Sequence, residues 1–241
     1  MNDLADLELA EKLLEIAYPS GGSRRLASKA LQEFGSLAGL LTATESDLCA
    51  ILGLTNNIIE IIRLIRVSAI KLAKGYVASR PVLENPQRLL EYLIAAMGYE
   101  RVEQFRTLYF NPANYLLDDF VHGIGTVNEV TVYPREIIRR AIEQHATALI
   151  LVHNHPSGNP DPSMRDLEMT NQILSVANVF SISLYDHIIV THGRWFSFRE
   201  QGLLEGKPAK LQMLVSQEAP RQFSARSLSG GRRMHCLGPD R

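Results

Sequence analysis

Two histidines at the end of an aliphatic segment are the residues in this sequence best suited to chemistry. His153 and His155 follow the run 148–152, whose lack of alternation predicts a strand buried on both faces. Because side chains alternate along a strand, the two imidazoles are expected on one face and Asn154 on the other. Imidazole nitrogens are good zinc ligands, so this spacing predicts a metal-binding pair.

A carboxylate that could complete the site follows a short loop. Asp166 lies eleven residues after His155, and the turn-forming segment 156–162 allows the chain to fold back over the strand end. Three protein ligands with one position left open are typical of a catalytic zinc site. Ser163 and Asp166 also have the spacing of a helix capping box. The two interpretations are compatible, because a capped first turn fixes the direction of the carboxylate.

Composition limits the class of protein. A chain of 241 residues that is 46% hydrophobic can bury one large core, or one core and a small helical domain. A net charge of −1 argues against a globally basic nucleic-acid binder. Cys49 and Cys236 are too few for a disulfide framework or a cysteine zinc site, and favour a reducing compartment. No secretory signal is visible and no apolar run nears the roughly 20 residues of a membrane span. We therefore expect a soluble, cytoplasmic protein without membrane contact.

The pattern of apolar residues divides the chain into three regions. Residues 1–76 show only helical periodicity, residues 80–204 show alternating helices and strands, and residues 205–241 lose periodicity. Residues 201–241 carry seven Lys or Arg against three acidic residues, so we expect a disordered basic tail. The middle region is predicted to be an α/β unit. Its expected strands lie near 102–110, 115–122, 128–133, 148–153, 181–191 and 194–199, and its helices near 88–96, 134–145 and 164–178.

The segment 153–158, His-Asn-His-Pro-Ser-Gly, together with Ser163 and Asp166, resembles the signature of the RadC-like proteins. These form a bacterial branch of the MPN, or JAMM, metallo-isopeptidase superfamily. The similarity covers about residues 80–204 and continues at 125–128, 134–136, 186–189 and 197–202. It implies an α/β, three-layer MPN (JAMM, cytidine-deaminase-like) fold with zinc at the end of a central strand. It also implies zinc-dependent hydrolysis of a peptide or isopeptide amide in a protein or peptide substrate that the sequence does not identify.

In that superfamily a glutamate on an early strand handles the proton of the attacking water. Glu103, at the start of the first predicted strand, matches this position, and Glu129 is the rival. Zinc would lower the pKa of its water from 15.7 to about 7. Glu103 would then act as general base and later as general acid toward the leaving amine. Ser163 would donate to the developing oxyanion.

Three other histidines also have to be considered as ligands. His145 and His192 lie on either side of the predicted site in the sequence, and His187 leads into the apolar run 188–190. The position of His187 within a strand, directly after Asp186, predicts a structural hydrogen bond for the pair rather than a role in a metal loop.

The N-terminal helices resemble the helix-hairpin-helix module that is usually fused to this domain. The matching segments are 34–37 and 52–55. The usual turn has a glycine on both sides of an apolar residue, but here Gly53-Leu54 is followed by Thr55, which restricts close approach to a phosphate. We therefore expect at most a weak DNA contact from this region, with a protein-docking or purely structural role as the alternative.

Two classes of function remain open at this point. The first is a JAMM-type metallopeptidase, and the second is a DNA-associated scaffold of the RadC-like family without catalytic activity. The intact set of ligands and candidate catalytic groups favours the hydrolase, because a scaffold has no use for all of them.

Overall fold

The central feature of the fold is a five-stranded sheet with helices on both sides, preceded by a group of helices. A computed structural model describes residues 5–16, 21–125 and 132–204. The N-terminal helices are α1 (Asp6–Glu15), α2 (Ser23–Phe34), α3 (Leu37–Thr42), α4 (Glu45–Leu52) and α5 (Asn56–Ala78). The remaining elements are α6 (Pro86–Met97), β1 (Gln104–Phe110), β2 (Leu116–Ile124), α7 (Pro134–Glu143), β3 (Ala148–Asn154), α8 (Met164–Val179), β4 (Ser183–Val190) and β5 (Trp195–Ser197).

Side-chain caps and a small apolar core hold the N-terminal helices together. Ser36 and Thr44 accept hydrogen bonds from backbone amides in the first turns of α3 and α4. Between α4 and α5, Gly53 adopts a left-handed conformation with φ of 66° and Leu54 is buried. This places Thr55 directly before the first residue of α5.

Helix α5 connects the helical region to the sheet. It extends two residues beyond the boundary predicted at 76, and Val77 packs in a core on one face of the sheet. Lys74 Nζ lies 3.1 Å from a carboxylate oxygen of the buried Asp119 on β2. The segment 81–86 between α5 and α6 includes a 3-10 turn, and its Val82 amide donates to the Asn114 carbonyl oxygen.

The sheet has the order β2-β1-β3-β4-β5, with β3 at its centre. All seven residues of β3 are buried, as its unbroken aliphatic run predicts. One core lies against α7 and α8, and a second lies against α6 and the end of α5. These helix, sheet and helix layers confirm the predicted α/β class. Most of the strand predicted at 128–133 and the tail predicted at 205–241 lie outside the described residues.

The strand directions determine which residues meet at the end of β3. β1 runs antiparallel to β3 with Phe105 opposite His153, so the residues just before β1 lie beside those just after β3. β4 runs parallel to β3, and α8 forms the crossover between them. The beginning of α8 therefore lies at the same edge of the sheet. Among the described helices, none is both long and apolar enough to cross a bilayer.

Candidate metal centre

The two histidines of the motif converge at the end of β3. His153 is 2% exposed and lies on the face of the sheet covered by α8, whereas the His155 side chain is 15% exposed. Their Nε2 atoms lie 2.9 Å apart. The backbone amide of His155 donates to the Val190 carbonyl oxygen, which extends the β3–β4 pairing to this residue. The strand end thus brings the two ring nitrogens together, as the His-x-His spacing predicts.

The capping box of α8 brings Asp166 to the same point. The backbone N–H and the hydroxyl of Ser163 both donate to Asp166 Oδ2, at 2.8 and 2.6 Å. Asp166 Oδ1 is directed toward His153 Nε2, at 3.2 Å, and Oδ2 lies 3.7 Å from His155 Nε2. The cap therefore fixes the carboxylate through Oδ2 and leaves Oδ1 beside His153 Nε2.

Glu103 stands at the edge of the same cluster. It directly precedes β1, whose Phe105 pairs with His153, and its Oε1 lies 3.8 Å from His155 Nε2. Glu103, His153 and His155 offer ligand atoms that all lie within 4.8 Å of one another, so Glu103 competes with Asp166 as a third ligand. Ligands of a tetrahedral zinc ion are about 3.3 Å apart, from bonds of 2.0 to 2.1 Å. The Asp166 contacts with the histidines, at 3.2 and 3.7 Å, match that spacing better than the Glu103 contact with His155, at 3.8 Å.

The chemistry of the donor set fits a cation. His155 Nδ1 lies 2.8 Å from the Asn159 carbonyl oxygen, which only accepts, so Nδ1 carries the hydrogen and Nε2 presents a lone pair when the ring is neutral. That lone pair faces His153 Nε2 and a carboxylate. Burial by itself raises the pKa of Asp166, but hydrogen bonds from Ser163 and from the two histidines in their protonated, metal-free form outweigh it and lower the pKa. An ionised carboxylate and imidazole lone pairs converging at one point suit zinc.

The environment of Glu103 differs from that of Asp166. Burial raises the pKa of Glu103 above its usual value, although the neighbouring histidines act in the opposite direction. A carboxylate with a raised pKa is a better proton acceptor, as a general base near neutral pH requires. The described geometry therefore separates a strongly acidic carboxyl group, Asp166, from a more basic one, Glu103.

Asn154 has a positioning role that the sequence did not reveal. Its side chain is fully buried on the face opposite the histidines, where Oδ1 accepts from the backbone N–H of Gln104 at 2.9 Å. Its Nδ2 donates to the backbone carbonyls of Glu100 and Val102, at 3.2 and 3.1 Å. These three bonds bracket Glu103 in the chain. A buried asparagine between two ligands is the signal that points to this role.

The loop between the ligands is anchored to the β4–β5 turn. Gly158 has a φ of 80°, and a Cβ atom there would come within 3.2 Å of the His192 ring, so glycine fits this turn. The Arg194 guanidinium donates to the Gly158 carbonyl oxygen at 2.5 Å. His192 is exposed and contacts the loop from outside. His145, also exposed, follows α7 with a φ of 53°.

His187 is a neighbour of the ligands rather than one of them. Its side chain is fully buried, and its Nε2 lies 2.8 Å from His153 Nδ1, on the side of that ring opposite the cluster. Its Nδ1 lies 2.6 Å from the hydroxyl oxygen of Thr170 on α8. Asp186 accepts a hydrogen bond from the backbone N–H of His187 at 2.7 Å. The predicted hydrogen bond between Asp186 and His187 is thus made by the backbone N–H of His187. The imidazole of His187 contacts the imidazole of His153 instead.

Two predicted catalytic assignments stay predictions. Ser163 lies beside the cluster, but its hydroxyl donates to Asp166, so donation to an oxyanion would require that bond to be exchanged. Glu129, the rival of Glu103, lies outside the described residues.

Comparison with known proteins identifies the family. A family model described as "RadC-like JAB domain" matches residues 83–203. The chain is similar to a UPF0758 protein of Rhodobacter capsulatus, with 41% identity over 201 residues, covering 83% of this chain and 94% of the relative. A second UPF0758 protein, from Ruegeria pomeroyi, is 38% identical over 201 residues, covering 83% of this chain and 90% of the relative. The matched region contains the cluster at the end of β3 and its supporting helices. The chain belongs to the RadC-like JAB domain family.

Proposed function

We propose that this protein is a zinc-dependent hydrolase that cleaves a peptide or isopeptide amide. The observation that carries the proposal is the convergence of His153 Nε2, His155 Nε2 and the Asp166 carboxylate, 2.9 to 3.7 Å apart, beside the carboxyl group of Glu103. Three ligand atoms with a separate proton acceptor match the requirements of metal-assisted amide hydrolysis. Membership of the JAB family supports the same reaction class.

Each residue at the cluster has a role that follows from its surroundings. His153, His155 and Asp166 would hold zinc, which when bound supplies a Lewis acid and makes water more acidic. Glu103 takes the proton of the attacking water and returns it to the leaving amine, because its carboxyl group lies beside the cluster and burial raises its pKa, which makes it a better proton acceptor. Ser163 holds Asp166 through its hydroxyl, and exchange of that bond would let the hydroxyl donate to an oxyanion formed at the cluster. Asn154 keeps Glu103 in register with the histidines.

We expect protein purified without added metal to contain about one zinc ion per chain, because the site offers one three-ligand set. Elemental analysis checks the stoichiometry and the identity of the metal. Treatment with a chelator should remove the ion and abolish cleavage of an amide, and added zinc should restore both. Protein that contains no zinc, and does not take it up when it is supplied, would contradict the proposal.

A panel of peptide and isopeptide amides tests the reaction class. We expect zinc-loaded protein to cleave at least one amide type and the chelated protein to cleave none. A protein that binds zinc but cleaves no amide in the panel would contradict the hydrolase and would favour a scaffold without catalytic activity.

The turn between α4 and α5 supports a second, weaker proposal. Gly53 and the buried Leu54 connect the two helices as in a helix-hairpin-helix, but Thr55 replaces the second glycine. We propose that this turn gives the full chain a weak contact with DNA phosphates. Thr55→Gly should strengthen binding to duplex DNA, measured by fluorescence anisotropy, and binding should fall steeply with salt through counterion release. Truncation after residue 204 separates the contribution of the basic tail. Equal affinity of wild type and Thr55→Gly would exclude a contact through this turn.

A further inference from the structure

A chain of buried hydrogen bonds joins two of the proposed ligands through residues that touch no metal. The Thr170 hydroxyl oxygen lies 2.5 Å from the Asp166 backbone carbonyl oxygen and 2.6 Å from His187 Nδ1. His187 Nε2 lies 2.8 Å from His153 Nδ1. We refer to Asp166 carbonyl, Thr170, His187 and His153 as the buried relay. Its members come from α8, β4 and β3, and each residue in it is at most 7% exposed.

The donors and acceptors of the relay can be assigned in only one order if every bond is made. A carbonyl oxygen only accepts, so the Thr170 hydroxyl donates to Asp166. A hydroxyl has one hydrogen, so the same oxygen must accept from His187, which places a hydrogen on His187 Nδ1. His187 in its neutral form then has a lone pair at Nε2, which accepts from His153 Nδ1. Neutral His153 is left with its lone pair at Nε2, the atom that faces His155 and Asp166.

We propose that Thr170, acting through His187, is a positioning residue that holds His153 in the tautomer able to bind metal. This role depends on the metal site proposed above. Thr170 lies one helical turn after Asp166, the proposed ligand at the start of α8. Because Asp166 contributes both the carboxylate ligand and the carbonyl that begins the relay, the two ligands and the relay form a closed loop. The orientation of His153 is thereby tied to the position of α8.

Loss of the Thr170 hydroxyl would remove the constraint that fixes the hydrogen positions on His187 and His153. His187 Nδ1–H would then face no acceptor in a fully buried site, which favours moving the hydrogen to Nε2. A hydrogen on His187 Nε2 requires His153 Nδ1 to accept, so the hydrogen of neutral His153 would move to Nε2 and occupy the lone pair that zinc needs. Loss of a hydrogen-bond partner of a metal-ligating histidine affects metal affinity by about 10- to 100-fold.

The test compares Thr170→Val, which keeps the shape and removes the hydroxyl, with Thr170→Ser, which keeps the hydroxyl. We expect zinc affinity, measured by competition with a chromophoric chelator, to fall about 10- to 100-fold in Thr170→Val. Thr170→Ser should remain close to wild type. If Thr170→Val does not fold, Thr170→Ala, which removes the same hydroxyl, takes its place in the comparison with Thr170→Ser. Thermal unfolding of the metal-free proteins identifies any general loss of structure.

A second measurement does not depend on zinc. Nitrogen chemical shifts of the histidine side chains, recorded by NMR on metal-free protein at alkaline pH, report which ring nitrogen carries the hydrogen. We expect Nδ1–H at His153 in wild type and Thr170→Ser, and a shift toward Nε2–H in Thr170→Val. Wild-type affinity and an unchanged tautomer in Thr170→Val would overturn the relay while leaving the metal site intact. Absence of zinc binding in wild type would overturn the proposed function, and the tautomer measurement would still decide the relay.

Discussion

Glu103→Gln is expected to retain about one zinc ion per chain and to lose amide hydrolysis by about 10² to 10⁴-fold. Glutamine preserves the size of the side chain and part of its hydrogen bonding, but its amide cannot accept the proton of the attacking water. Zinc content is expected to survive because Glu103 Oε1 lies 3.8 Å from His155 Nε2, farther than the nearest contact of Asp166 with the histidines. Single-turnover hydrolysis and elemental analysis of the same preparation measure the two effects together.

The matched comparison for this prediction is Asp166→Asn. That change removes the anionic ligand from the proposed site, so zinc affinity should fall together with activity. The contrast separates a residue that moves protons from one that holds metal. Glu129→Gln is the control for the rival carboxylate. An inactive Glu129→Gln protein beside a fully active Glu103→Gln protein would assign the general base to Glu129 instead.

Loss of both histidines, in a His153→Ala/His155→Ala protein, is expected to abolish stoichiometric zinc binding while the fold persists. The cores on the two faces of the sheet are built from aliphatic and aromatic side chains, so folding does not depend on the metal. Elemental analysis and circular dichroism measure the two properties. Full zinc occupancy in the double variant would refute the assignment of the ligands.

The single variants should differ in stability although both lose metal. His153 is 2% exposed and its Nδ1 is bonded to the buried His187, so His153→Ala leaves a cavity and an unpaired ring nitrogen. An unsatisfied buried polar group costs about 1 to 3 kcal/mol. The His155 side chain is 15% exposed and bonds to a loop carbonyl, so its loss should cost less. Thermal unfolding of the metal-free proteins measures this order. His145→Asn, at an exposed histidine outside the cluster, should change neither zinc content nor the melting temperature.

Local sequence patterns were sufficient to predict β3, the faces of its side chains and the start of α8. The aliphatic run before His153 predicted a fully buried strand, because a strand covered on both faces needs no polar residues. Period-two alternation placed both imidazoles on one face and Asn154 on the other. The Ser163–Asp166 spacing predicted a capping box, which is present in α8. All three are properties of short segments, for which the geometry of a single strand or helix turn is decisive.

Contacts between elements that are distant in the sequence could not be predicted from local patterns. Asn154 appeared only as the residue turned away from the site, but the antiparallel pairing of β1 and β3 makes it the anchor of the chain around Glu103. Helix α5 continues past the predicted boundary because Val77 packs against apolar side chains on one face of the sheet. The competition between Asp166 and Glu103 for the third ligand position likewise required distances to the histidines.

The sequence by itself determined the α/β class, the pairing of His153 with His155 and the capping box of Ser163 and Asp166, because these follow from the periodicity of strands and the capping of helices. Only the tertiary structure decided how His153 is supported. Thr170 and His187 are 17 residues apart, and their contact depends on the crossover that packs α8 over β3 and β4. Hydrogen bonds of that kind are selected by the packing of complete elements, since no local spacing specifies which buried donor meets which acceptor.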